Sequence, residues 1–134
     1  AIIDFIDGQA RLAKPFTVKS HHVQTTLLDT DYSGGTPLAE AIGLARTVVE
    51  TQRDEPLIIT VTDDRPSDIE AVTRELQASY APVCSLTIAT DCDPGTLAPD
   101  ASALAPYYER QAAVYDIDAI DDRLDQFASL LTGL

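Results

Sequence analysis

The run Leu57-Ile58-Ile59-Thr60-Val61-Thr62 constrains this chain more than any other segment. It follows Pro56, stops at Asp63-Asp64, and is rich in β-branched residues with no polar alternation. A strand with one wet face alternates apolar and polar residues, whereas a strand covered on both faces has no reason to, so the run predicts a buried strand of a parallel sheet. Val83 to Thr90 is expected to be the next buried strand, and Ala112 to Tyr115 a short last one. Between and around these runs the apolar period changes to three and four. Thr36-Pro37 opens a helix with Leu38, Ile42, Ala45 and Val49 on one face, predicted to end near Gln52. Ser67-Asp68-Ile69-Glu70 has the form of a capping box, and Ile69, Val72, Leu76 and Tyr80 form the buried stripe behind it. Asp118 is placed to cap a last amphipathic helix carrying Ile120, Leu124, Phe127, Ala128 and Leu131.

Strand and helix in alternation imply right-handed crossovers, hence an α/β fold: a doubly wound, mostly parallel sheet with helices on both faces. The opening segment differs. Residues 1–6 are an apolar run that meets turn chemistry at Asp7-Gly8, and Ala10 to Phe16 resumes extended, which predicts a hairpin. A short helix after Ser20, with Val23 and Leu27 inward, is the weakest element. At 134 residues, one domain spanning 1–134 is expected. In parallel sheets ligands gather where the strands end at their carboxyl edge. The loops at Ser33 to Thr36, Asp63 to Ser67 and Asp91 to Asp100 are therefore where chemistry is expected.

Charge narrows the partners. Asp and Glu number 22 against 9 Lys and Arg, a net charge of −13, which repels phosphate backbones and anionic lipid and so argues against nucleic acid and membrane surfaces. Cations or basic partners suit such a surface. The same acidity, with two lysines and no Trp or Met, also fits a halophilic protein of a salt-saturated cytoplasm, and on that reading it serves solubility alone. Cys84 and Cys92 lack zinc-ligand spacing and are expected to be reduced thiols, Cys84 in the core and Cys92 in an acidic loop that blunts its reactivity. No stretch approaches the roughly 20 apolar residues of a spanning helix. An amino-terminal Ala without Met leaves room for something upstream, and a cytoplasmic location is the expectation.

Ser33-Gly34-Gly35-Thr36-Pro37-Leu38-Ala39-Glu40-Ala41-Ile42, followed by Leu57 to Thr62 and Asp63-Asp64-Arg65-Pro66, resembles von Willebrand factor type A domains, especially their intracellular prokaryotic branch. Phe5-Ile6-Asp7 and Leu12 to Phe16 resemble that family's second and third strands, and Ala112 to Leu131 its closing strand and helix. The resemblance implies a metal ion-dependent adhesion site in which Thr36 and Asp63 ligate Mg²⁺ or Mn²⁺, with Ser33, Gly35, Asp64 and Asp91 adjacent. Hard oxygens on separate loops suit Mg²⁺, which keeps waters and an open position for a partner's carboxylate. The implied function is a protein-binding module, not an enzyme, whose partner presents an acidic residue; an AAA-type ATPase is the partner that family analogy offers. Two departures stand against it: no Asp-x-Ser-x-Ser occurs in the chain, and Asp64 stands where the family has Gly. The family's first strand, absent here, would lie between residues 1–6 and 57–62, so two strand edges are expected to be unpaired.

Each site residue also has a plainer role. Thr36 can be a helix cap, Asp63 and Asp64 turn residues, and Asp91 and Asp93 a solvated loop. Arg65 can pair with these acids instead of a ligand. His21 and His22, adjacent on a helix, should diverge, and Tyr107-Tyr108 should anchor packing. A metal-free interaction domain is the first alternative. An enzyme using Asp63, Asp64, Asp91 and Asp93 on a phosphorylated substrate is the second, with no partnered nucleophile or phosphate-holding loop in its favour.

Overall fold

The computed structural model describes residues 1–6, 8–17, 19, 21, 22, 25, 37–52 and 54–134. The chain opens on an antiparallel hairpin of β1 (Ile2–Ile6) and β2 (Gln9–Lys14), in which Ile6 pairs with Gln9 across a two-residue turn. Gly8 takes φ 73° there, a left-handed conformation that a side chain resists. Asp4 on β1 is buried and receives two hydrogen bonds, 2.8 and 3.1 Å, from the guanidinium of its cross-strand neighbour Arg11. The short helix expected after Ser20 falls mostly outside the described residues. His21 and His22, expected to diverge, instead meet edge to face with ring centroids 4.3 Å apart.

Helix α1 (Leu38–Val49) follows Pro37 and buries Leu38, Ile42 and Val49 of the predicted stripe together with Ala41, while Ala45 is only partly buried. It ends a turn earlier than the apolar pattern alone implied. Strand β3 (Ile58–Thr62), helix α2 (Ile69–Ala78), strand β4 (Val83–Ile88), helix α3 (Pro99–Leu104) with a 3-10 turn (Ala105–Tyr107), and strand β5 (Arg110–Val114) then alternate. A 3-10 turn (Ile117–Ala119) leads into α4 (Ile120–Leu131). The cap of α2 is Asp68, whose carboxylate accepts the Ala71 N–H at 2.9 Å, one residue beyond the Ser67 of the expected capping box. Asp118 does not cap α4. Asp116 instead accepts the Asp118 N–H at 3.0 Å and starts the 3-10 turn that runs into the helix.

Strands β3, β4 and β5 form a parallel sheet in that order, and the hairpin is a separate two-stranded sheet. The fold is thus mixed α/β with a three-stranded parallel sheet. Parallel register places Ile58, Thr60 and Thr62 on the same face as Val83, Ser85 and Thr87, and Ile59 and Val61 beside Cys84 and Leu86 on the other. Against the first face Ile58 and Val83 pack with Leu38, Ile42 and Val49 of α1 and Val72 and Leu76 of α2. Cys84, Leu86 and Val114 pack on the second face with Phe127 of α4. Arg46 and Glu75, 2.5 Å apart, tie α1 to α2, and the Tyr80 hydroxyl donates to the Val49 carbonyl at 2.9 Å. β4 is buried along nearly its whole length, its two hydroxyl residues Ser85 and Thr87 included. β3 is not: Ile59 is 47% and Val61 62% exposed.

Candidate functional site

At the carboxyl end of β3 the two aspartates part company. Asp63 is exposed, and its Oδ1 accepts the Arg65 N–H at 3.1 Å, closing a small turn. Asp64, read from sequence as a loop anion beside the cation site, is fully buried. It adopts φ 53°, a region that Asp tolerates better than most residues, and this bend swings its carboxylate under the sheet edge. Its N–H donates to Thr62 Oγ1 at 3.2 Å.

The buried carboxylate is held from three elements. Ser85 and Thr87 of β4 donate hydroxyls to Oδ2 at 3.0 and 2.5 Å, and Gln111 of β5 reaches the same oxygen at 3.4 Å. Tyr108, just before β5, donates its hydroxyl to Oδ1 at 2.8 Å. Gln111 also donates to Thr87 Oγ1 at 2.9 Å, so the hydroxyls and the amide form a connected network. Burial raises the ionisation of the Tyr108 phenol far above the ordinary tyrosine range, and the adjacent Asp64 charge and hydrogen bond push the same way. Such a carboxylate is spent on structure: its oxygens accept from the protein and face no solvent. What the network does for the site is to fix the backbone of residues 63–65, so that Asp63 is held outward at the sheet edge.

Across the edge, the loop after β4 brings Asp91 to Arg65. Their side chains meet at 2.6 Å, both in contact with solvent, and the guanidinium holds the Asp91 carboxyl below the ordinary carboxylate range. Arg65 Nη2 lies 3.8 Å from the Cys92 sulfur, which in turn lies 3.7 Å from Asp91 Oδ1. Asp93 is exposed further along the loop, where its carbonyl accepts the Thr96 N–H at 2.9 Å around Gly95. Thr36, Ser33 and Gly35 lie outside the described residues.

Tested against a divalent cation, these groups fit in part. Asp63 offers an exposed oxygen at the expected strand end, but Asp64 is turned inward and Asp91 is engaged by Arg65. Among the described residues no three His, Cys, Asp or Glu side chains converge as a metal set. The four-carboxylate cluster on which an enzyme would rely is likewise divided between core, ion pair and loop. Sequence reasoning missed Ser85, Thr87, Tyr108 and Gln111 as the partners of Asp64. Their signal was present in the two hydroxyls at alternate positions of an otherwise apolar buried strand, which demand a polar partner. Cys84 is buried, and burial raises its thiol's ionisation. Two shallow clefts, of about 530 and 490 Å³, share Tyr80, Ala81, Pro82 and Leu134 at the amino end of the strands, opposite Asp63.

Compared with known proteins, the chain matches no family model, no curated protein and no solved structure. No helix among the described residues is long and apolar enough to cross a membrane.

Proposed function

We propose that this chain is a protein-binding module of the von Willebrand factor A kind, with a doubly wound architecture, that meets its partner at the carboxyl edge of the sheet. The observation that carries the reading is the outward Asp63, an exposed carboxylate at the end of a parallel strand, fixed in place by the buried Asp64 next to it. In this reading Thr36 and Asp63 ligate Mg²⁺ or Mn²⁺, further oxygens complete the set, and an acidic side chain of the partner fills the open position. An AAA-type ATPase is the partner proposed, by family analogy. Among the described residues the site carries no nucleophile with a partnered base, and the role proposed is binding.

A second reading has its own support. The Arg65 guanidinium, 2.6 Å from Asp91, already supplies positive charge among these acids, as a domain that binds its partner without metal would arrange. Calorimetric titration of Mg²⁺ and Mn²⁺ at high salt separates the two. A saturable isotherm that disappears in Asp63→Ala supports the cation-linked site. Silence in the wild type, with the fold intact, removes the metal and leaves the interaction domain.

A further inference from the structure

The bend that presents Asp63 at the end of β3 is held in part from β5, two places away in the sheet. Asp64 sits at φ 53°, which a residue with a β-carbon avoids unless its surroundings hold it there. Its carboxylate is gripped at both oxygens. Tyr108 donates to Oδ1 at 2.8 Å, while Ser85 and Thr87 donate to Oδ2 at 3.0 and 2.5 Å. Gripping both oxygens fixes the rotation of the group as well as its depth. Gln111 acts one bond further back. It donates to Thr87 Oγ1 at 2.9 Å, so that oxygen serves as an acceptor there and its own proton goes to Asp64.

The bend reaches Asp63 through the backbone on both sides of Asp64. The Asp64 N–H donates back to Thr62 Oγ1 at 3.2 Å, and the Arg65 N–H, brought round by the bend, donates to Asp63 Oδ1 at 3.1 Å. Relaxing Asp64 to an ordinary φ turns the peptide that follows it, and with it the Arg65 N–H that orients the Asp63 carboxylate. Asp63 is exposed and Tyr108 is buried, so a ligand that meets the first has its affinity set in part by the second. Partners one step behind a ligating group commonly change metal affinity by about 10–100-fold.

We infer that Tyr108 and Gln111 are positioning residues of the carboxyl-edge site: through Asp64 they hold the bend that presents Asp63, and so set how tightly that edge takes its ligand. The inference rests on the reading of Asp63 as the group that meets the ligand. Its test pairs a readout of the bend with a readout of binding. A positive φ brings an amide proton close to its own Hα, so Asp64 in the wild-type chain should give a strong NMR cross-peak between the two. Tyr108→Phe and, should that variant not fold, the half-buried Gln111→Met should weaken this peak in the folded chain. Mn²⁺, followed by water-proton relaxation, is the binding probe, and either variant should weaken its affinity by about tenfold. Tyr80→Phe is the control. It removes a phenol hydroxyl that donates at 2.9 Å to the Val49 carbonyl, and it should leave both the peak and the affinity at their wild-type values. An Asp64 cross-peak as strong in the variants as in wild type overturns the proposal, as does an equal loss of affinity in Tyr80→Phe. Silence of the wild type toward Mn²⁺ removes the cation, and the cross-peak then decides alone whether Tyr108 and Gln111 position Asp63.

Discussion

Asp64 is the residue on which the carboxyl edge turns. Replacing it with Ala strands the hydroxyls of Ser85, Thr87 and Tyr108 in the core and puts a less tolerant residue at φ 53°, at an expected cost of about 3–5 kcal/mol in urea unfolding. Asp64→Asn, which keeps an acceptor oxygen and tolerates the left-handed backbone, should cost less than half as much; equal losses would mean that the hydrogen bonds contribute little. Tyr108 gives the matching pH test. Folding raises its ionisation, so the folded chain holds a proton where the unfolded chain releases one. The stability this confers is full below the unfolded pKa of about 10 and declines as the pH climbs past it. In an ultraviolet titration one phenol should resist ionisation until the protein unfolds, and Tyr108→Phe should remove that last step. Asp91 runs the other way. Its carboxyl is held low by Arg65, so the benefit exists above the ordinary carboxylate range and fades as pH falls; Arg65→Ala should return its titration, followed by NMR, toward ordinary values. Of this site, Asp63 at a strand end and the pairing of Arg65 with an acid were legible from sequence. The inward turn of Asp64 was not, because Asp-Asp after a strand is equally good turn chemistry, and only the hydroxyls of a strand some twenty residues on decide between turn and core.

Among the elements, those with strong periodicity were placed correctly, but their ends and part of their stripes were not: Tyr80, read on the buried stripe of α2, lies beyond the helix and is exposed, and Leu124 and Ala128, read on the inner face of α4, are exposed as well. The stripes of α1 and α2 and the buried run of β4 follow from spacing, because a covered face tolerates few substitutes. Caps shifted because several neighbours could serve: Ser67 and Asp68 are both good caps, and the carboxylate that reaches the Ala71 N–H belongs to Asp68. Asp68→Ala should therefore lower stability by about 1 kcal/mol, and Ser67→Ala by much less, in thermal unfolding. Helix α3 was hidden in what read as a long loop, since six residues of Pro, Asp, Ser and small apolar side chains give no helical stripe. Its burial of Ala101 and Leu104 comes from tertiary contact and not from local pattern. The thiols divide along the same line: Cys84, inside β4, should ignore a thiol reagent until the chain unfolds, while Cys92, in the loop, should react in the folded state.

At the scale of the whole molecule, the first face of the sheet changes character along its length. Ile58 and Val83 at the amino end sit among aliphatic side chains of α1 and α2, whereas Thr62, Ser85, Thr87, Asp64 and Gln111 make the carboxyl end hydrophilic, with Tyr108 closing it. A net charge of −13 adds self-repulsion to this, so the melting temperature should rise with potassium chloride as the charges are screened. The layered core also bears on how the protein responds to temperature. Unfolding hydrates apolar surface, which raises the heat capacity, but here it also hydrates a buried polar layer, which lowers it. The heat-capacity increment should therefore fall below the usual value of about 12–15 cal/mol/K per residue, flattening the stability curve and leaving the fold less prone to cold denaturation than an all-aliphatic sheet of the same size.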